Sequence, residues 1–255
     1  MSNEFATNLE KFLYDCDANC EHPDVKTILK NYFSSYTGGN FETYGHNDPF
    51  AINSDDLIAV TMLSMEIKQQ TRSGISPQAI LKIEENSKKI SLLLTELQVS
   101  DNSISPIDTS LDQISKYDAE KLLISTNSIA HQLNQIVLPL LSDNMSPNKK
   151  WVAASKLISR KRPSLIPIRD RKVVHRLTKG KTQNPENYLT EWWGQWYNTL
   201  ASSKFSIKDR LTEIQNEFST GKPKPAFTPS VIRIADVLVW NGCDCNARKI
   251  RSDVH

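Results

Sequence analysis

The residues best placed to do chemistry lie between Ser146 and Thr182, where 12 Lys or Arg residues accompany a single acid, Asp170. That acid sits in the run Arg169-Asp170-Arg171-Lys172. A carboxylate among cations keeps its charge, and on a surface made for phosphate that charge repels the ligand. Two readings account for it. A carboxylate at the N-terminus of a helix starting at Arg171 would cap that helix and need no chemistry. Alternatively, the charge serves a cationic sugar. Breaking an N-glycosidic bond develops oxocarbenium character at the anomeric carbon, and a fixed anion beneath it lowers the barrier. The same group can orient or deprotonate the attacking water.

The cations around it are segregated. The block from Ser146 to Thr182 carries +11, while the rest of the chain, with 19 basic and 28 acidic residues, carries −9 and leaves a net +2. Such segregation suggests a directed electrostatic surface, although a basic run is also the signature of a solvated helix face. Lys149, Lys150, Lys156, Arg160, Lys161, Arg162, Arg169, Arg171 and Lys172, with Trp151, are the candidate nucleic-acid contacts. Cations of this kind position a phosphate backbone without reading its bases. Ile158, Leu165, Ile166, Ile168 and Val173 are interleaved among them, which predicts an ordered segment.

A base drawn out of a duplex needs a pocket with aromatic walls. Tyr36, Phe41, Tyr44 and His46 cluster near Gly38, Gly39 and Gly45 and are the candidates, although aromatics near glycines also cap cores. Trp192, Trp193 and Trp196 recur at helical spacing and read as core. His131 and His175 are isolated. Cys16, Cys20 and His22, with Cys243 and Cys245, match no zinc spacing, so neither metal nor other cofactor is expected. The N-terminus MSNEFATNLEKF has acids and no apolar core, and no apolar run approaches the roughly 18 residues of a membrane span. The expectation is a monomer in the cytoplasm, with reduced thiols and no membrane partner.

The elements that position these residues read as helices. Only 8 glycines are present, few for a turn-rich sheet protein. Apolar residues recur at helical spacing over 3–15 and 23–33, followed by a non-helical stretch from Ser34 to Phe50. Ser54, Asp55 and Asp56 start a helix that runs on through IAVTMLSMEI. Further helices are expected over Pro77–Leu97 and 111–141, with an end or kink at Pro139, after a polar linker at 99–110. A turn at Met145–Lys150, a helix over Trp151–Ser159, a Pro-bounded extended crossing RPSLIPIRD and a helix over Arg171–Leu177 follow. An amphipathic segment after Pro185, a loop at 219–230 and an apolar helix at 230–240 complete the chain.

The stretch KKWVAASKLISRKRPSLIPIRDRKVV resembles the helix-hairpin-helix (HhH-GPD) DNA glycosylase superfamily. In that superfamily a hairpin ending in Thr-Ala precedes the catalytic Asp by about seventeen residues. Laying Ala153-Ala154 on that pair brings Asp170 onto the catalytic acid. Asn148 and Lys150 stand where the hairpin glycines would fall, and Val152 stands where lyase-type members carry a Schiff-base lysine. A slip in register would bring Lys149, Lys150 or Lys156 to that role. The iron–sulfur cysteines of some members are missing. The segment more closely resembles an uncharacterised bacterial family with Lys-Leu, Lys-Arg-Pro, Leu-Ile-Pro and Asp in this order, and that likeness extends to YTGGNFE and VLVW.

The glycosylase resemblance implies a mainly α fold of two lobes with a cleft between them. It would be one helical domain over 1–255, divisible at about 1–110 and 111–255. It further implies a monofunctional enzyme that flips a damaged or modified base out of double-stranded DNA and leaves an abasic site. A modified base of a bacteriophage genome would make the protein a defence factor. The alternative is a non-catalytic DNA- or RNA-binding protein on the same scaffold.

Overall fold

The structure is a computed structural model that describes residues 2–14, 24–35, 37–63, 66–67, 74–99, 104–142, 145–179, 188–201, 206–220 and 227–241. It is mainly helical. The first half of the chain forms α1 (Ser2–Tyr14), α2 (Val25–Lys30), a π turn (Asn31–Ser35), a 3₁₀ turn (Thr37–Gly39), α3 (Asn40–Thr43), α4 (Ser54–Thr61), α5 (Ala79–Glu85) and α6 (Ser87–Glu96). A two-residue parallel pairing joins Glu66–Ile67 to Gly74–Ile75. The second half forms α7 (Lys116–Ala119), a π turn (Glu120–Ile124), α8 (Ile129–Leu141), α9 (Pro147–Lys161), α10 (Arg171–Thr178), α11 (Tyr188–Ala201), α12 (Ile207–Thr220) and α13 (Val231–Asn241).

The helices that matter for the site start where their caps dictate. Asn53 and Asp56 form a reciprocal capping box on α4. Ser128 accepts from the His131 N–H on α8, and Pro147, with no N–H to satisfy, occupies the first turn of α9. Asp170 caps α10 by accepting from the Lys172 N–H, and Lys179 ends that helix in the left-handed region at φ 51°.

α8 packs against α9, and α1 packs against α10, α11, α12 and α13. The buried core runs from Phe5 on α1 to Val239 on α13. Trp192, Trp193 and Trp196 are buried as expected. Phe5 meets Trp192 and Trp196 edge-on at 5.5 and 5.4 Å between ring centroids, a geometry that contributes about 1 kcal/mol per pair beyond area burial.

Several expectations need correction. α4 stops at Thr61 and does not run through Ile67. The expected turn at Met145–Lys150 is mostly the first turn of α9, because Pro at the first helical position starts a helix. Pro139 itself is helical, and α8 ends two residues beyond it at Leu141, within a turn of the end expected there. The Ser34–Phe50 stretch holds three short helical turns. Two glycines shape it. A Cβ on Gly39 would lie 2.6 Å from the Phe33 carbonyl oxygen, and Gly45 has φ +58° against the Asp55 carboxylate.

Candidate functional site

α9 carries two sets of charges along its length. Near its C-terminal end Arg160 and Lys161 reach across to α4. Arg160 Nε donates to Asp56 Oδ1 at 2.8 Å, and Lys161 Nζ lies 2.5 Å from Asp56 Oδ2 and 2.9 Å from Asn47 Oδ1. A second Arg160 nitrogen donates to the Tyr44 carbonyl. Arg162, just beyond the helix, donates to the carbonyls of Leu97 (2.9 Å), Pro49 (2.8 Å), Lys161 (2.7 Å) and Leu94. Burial pushes the Arg162 guanidinium down to about 10. It ties the end of α6 to α9.

This corrects the expected phosphate contacts. Arg160, Lys161 and Arg162 are at most 1% exposed, so they hold the fold together and cannot clamp a docked strand. Lys156 is also buried, but it lines a cavity. Lys149, Arg171 and Lys172 remain exposed, and Lys150, Trp151 and Arg169 are half-buried.

Closer to its N-terminus α9 presents Val152 and Lys156, one helical turn apart, to a cavity of about 190 Å³. The Lys156 ammonium donates to the Leu63 carbonyl at 2.7 Å and lies 3.8 Å from Asp170 Oδ2. The extended segment after Arg162 brings Asp170 here. Its Ile166 carbonyl accepts from the Ser159 hydroxyl (2.7 Å), its Ile168 N–H donates to Asp236 Oδ2 (3.3 Å), and its Arg169 N–H donates to the Ser155 hydroxyl (3.1 Å). The segment is thus fixed between α9 and α13. Asp170 caps α10 and also faces the cavity, its side chain 22% exposed. Capping and service in the cavity are therefore compatible roles.

α13 supplies the opposite wall. Arg233, Asp236, Val237 and Trp240 follow helical spacing and line the same space, with Tyr32, Leu63, Ile168 and Val173 completing its apolar part. Arg233 pairs with Glu42 and lies 3.3 Å from Asp236 Oδ2, while its other nitrogen donates to the Ser159 hydroxyl at 3.0 Å. Asp236 Oδ1 is buried and has no hydrogen-bond partner among the described residues.

This environment moves two groups towards neutrality. Burial lowers the Lys156 amine to about 8, with Asp170 opposing the shift and Arg233 adding to it. Burial raises the Asp236 carboxyl to about 7, against Arg233 and the Ile168 N–H and with help from Asp170 and Glu42. Burial also opposes the charge on Arg233, but Glu42 and Asp236 outweigh it and raise its pKa. An acid and an amine that both change charge near neutral pH share one small cavity, an arrangement suited to proton transfer or nucleophilic attack.

Among the described residues, those expected to form the base pocket do not line this cavity. Phe41 is buried, with the Arg160 and Arg233 guanidinium groups 5.7 and 5.3 Å from its ring centroid. Tyr44 is half-buried against the core and His46 is exposed, and neither lines the cavity. Tyr36 lies outside the described residues, as do the four cysteines and His22. Among the described residues no group of three or more His, Cys, Asp or Glu could hold a metal ion, and no helix is long and apolar enough to cross a membrane.

Sequence reasoning missed Arg233, Asp236, Trp240, Tyr32 and Leu63. A signal existed for two of them: Arg233 and Asp236 are charges spaced by three in an otherwise apolar helix, and such charges must be paired or functional.

Fold and site together define a mainly helical protein with a walled acid–amine cavity. The chain belongs to a family of unknown function (DUF6308), whose model matches residues 25–242. No curated protein and no solved structure matches it.

Proposed function

We propose that the protein is a DNA N-glycosylase with Asp170 as the catalytic carboxylate. The observation that carries this reading is that Asp170 reaches a cavity and is not consumed by its role as a helix cap. α8 and α9 flank a short connection, and Asp170 follows α9 after the extended segment, in keeping with a helix-hairpin-helix. Tyr32 and Leu63 from the first half of the chain meet the α9, α10 and α13 wall at the cavity, as a two-lobed arrangement requires. Lys149, Lys150, Arg169, Arg171 and Lys172 would hold the phosphates of a duplex whose target nucleotide enters the cavity.

In this reaction the C1′–N bond breaks, Asp170 stabilises the cationic sugar, and water adds to C1′ after giving its proton to the carboxylate. A second reading, in which an amine attacks C1′ and forms a Schiff base, is favoured by one observation: Lys156 lies a single turn beyond Val152, beside Asp170. Duplexes with damaged, modified and ordinary bases, incubated with the protein and treated with alkali, should break at abasic sites. Asp170→Asn should lose this activity by about a thousandfold while keeping DNA binding. Borohydride trapping of a protein–DNA adduct that Lys156→Met abolishes would select the amine route. DNA binding with no base release from any duplex would leave a binding protein on the same scaffold.

A further inference from the structure

The cavity holds a second carboxyl that the proposed reaction, as written, does not use. We infer that Asp236 is the acid that protonates the departing base, so that the site acts on uncharged bases, which need this proton to leave, whereas N-alkylated cationic bases do not need it. This rests on the base-excision reading.

The geometry is specific. Asp236 Oδ2 is occupied, accepting from the Ile168 N–H and from Arg233, both at 3.3 Å. Oδ1 is buried in the same wall and has no partner among the described residues, and an unsatisfied buried oxygen of this kind needs an explanation. A proton on Oδ1 would have nothing inside the protein to bond to, and a ring nitrogen or carbonyl oxygen of a bound base would be an acceptor for it. The charged and titratable groups around Asp236 are Arg233 on its own helix, Glu42 on α3, Asp170 at the end of the extended segment, Lys156 on α9, Arg171 on α10 and Tyr32 on the π turn. Their balance, dominated by burial, leaves the carboxyl half-protonated near pH 7. Two carboxyls then divide the work: Asp170 meets the sugar cation and Asp236 meets the leaving group.

The step balances. The C1′–N electron pair goes to the base as the Asp236 proton reaches it, and water bonds to C1′ while its proton passes to Asp170. Solvent then returns a proton to Asp236 and takes one from Asp170. The products are the neutral base and an abasic site.

The test is single-turnover base release between pH 5 and 9. The probes are duplexes carrying uracil, hypoxanthine, 8-oxoguanine or 5-hydroxymethylcytosine, with 7-methylguanine as the cationic comparison. For an uncharged base that the protein releases, the rate should fall as pH rises through about 7. Asp236→Asn should lower it about 100-fold or more and flatten the profile. Release of 7-methylguanine, if it occurs, should show no such fall with pH and should lose far less in the variant than release of an uncharged base does. Unaltered release and pH profile in a folded Asp236→Asn protein would overturn the inference and leave the glycosylase reading standing. No release from any duplex by the wild type would remove both. Should the variant not fold, isotope-edited infrared titration of Asp236 in the wild type decides: a carboxyl fully ionised at pH 5 overturns the inference.

Discussion

Asp56 and Asp236 are both buried carboxylates paired with an arginine, but they are satisfied to different degrees. Asp56 accepts from Arg160, Lys161 and the Asn53 N–H, so both of its oxygens are taken. Asp236 has one oxygen held by Arg233 and Ile168 and the other unpartnered. The first site locks α4 to α9 with both carboxylate oxygens in use, although one Arg160 nitrogen beside them has no partner among the described residues. The second borders a cavity and holds a proton near neutrality. An unpartnered buried atom alone does not mark a site, since Arg160 and the core tryptophans also carry one; Asp236 differs because it borders a cavity.

Four measurements would break or sharpen this contrast. Asp56→Ala strands two buried cations and should lower stability by about 3–5 kcal/mol, seen as a large drop in calorimetric Tm. A loss under about 1 kcal/mol would mean that the pairing is not structural. Asp236 behaves oppositely. Its folded pKa, about 7, lies above the ordinary carboxyl value of 3.8, so the folded state binds the extra proton and stability falls as pH rises through that window. The loss amounts to about 4 kcal/mol, and Asp236→Asn should flatten it in urea titrations run from pH 4 to 8.

Lys156 gives a smaller effect. Its folded pKa, about 8, lies below 10.5, so its charge burdens the fold in full below about pH 8 and is relieved as pH rises towards 10.5. Lys156→Met should therefore gain on the order of 3 kcal/mol at pH 7 and little at pH 10.5. Smallest in stability are Lys149→Ala, Lys150→Ala, Arg171→Ala and Lys172→Ala, each within about 0.5 kcal/mol. Each should instead reduce the salt slope of duplex binding by about 0.9, and unchanged slopes would remove these residues from the interface.

Much of the helical layout was legible because apolar spacing and caps are local. Asp170 at the head of α10, the buried tryptophans and the apolar α13 could each be read within one or two turns of sequence. The site was legible only in part. Lys156 and Arg160 to Arg162 read as phosphate contacts because their partners are remote: Asp56 lies 104 residues from Arg160, as Glu42 lies 191 from Arg233. Local patterns carry no record of such pairings. The three segments with the closer family likeness (36–42, 156–170 and 237–240) were visible as separate strings. Their convergence, through Glu42 on Arg233 and through Lys156, Asp170 and Trp240 around one space, required the fold.

The π turn at Asn31–Ser35 sets how the N-terminal half reaches the cavity. A regular α-helix advances about 100° per residue, and a widened turn breaks that phase. Tyr32 stands on this break and joins the apolar wall. Removing one residue ahead of it would swing the ring through roughly that angle and take it off the wall, with α2 itself left intact. Chain length at this point thus sets where the Tyr32 ring stands in the cavity's wall.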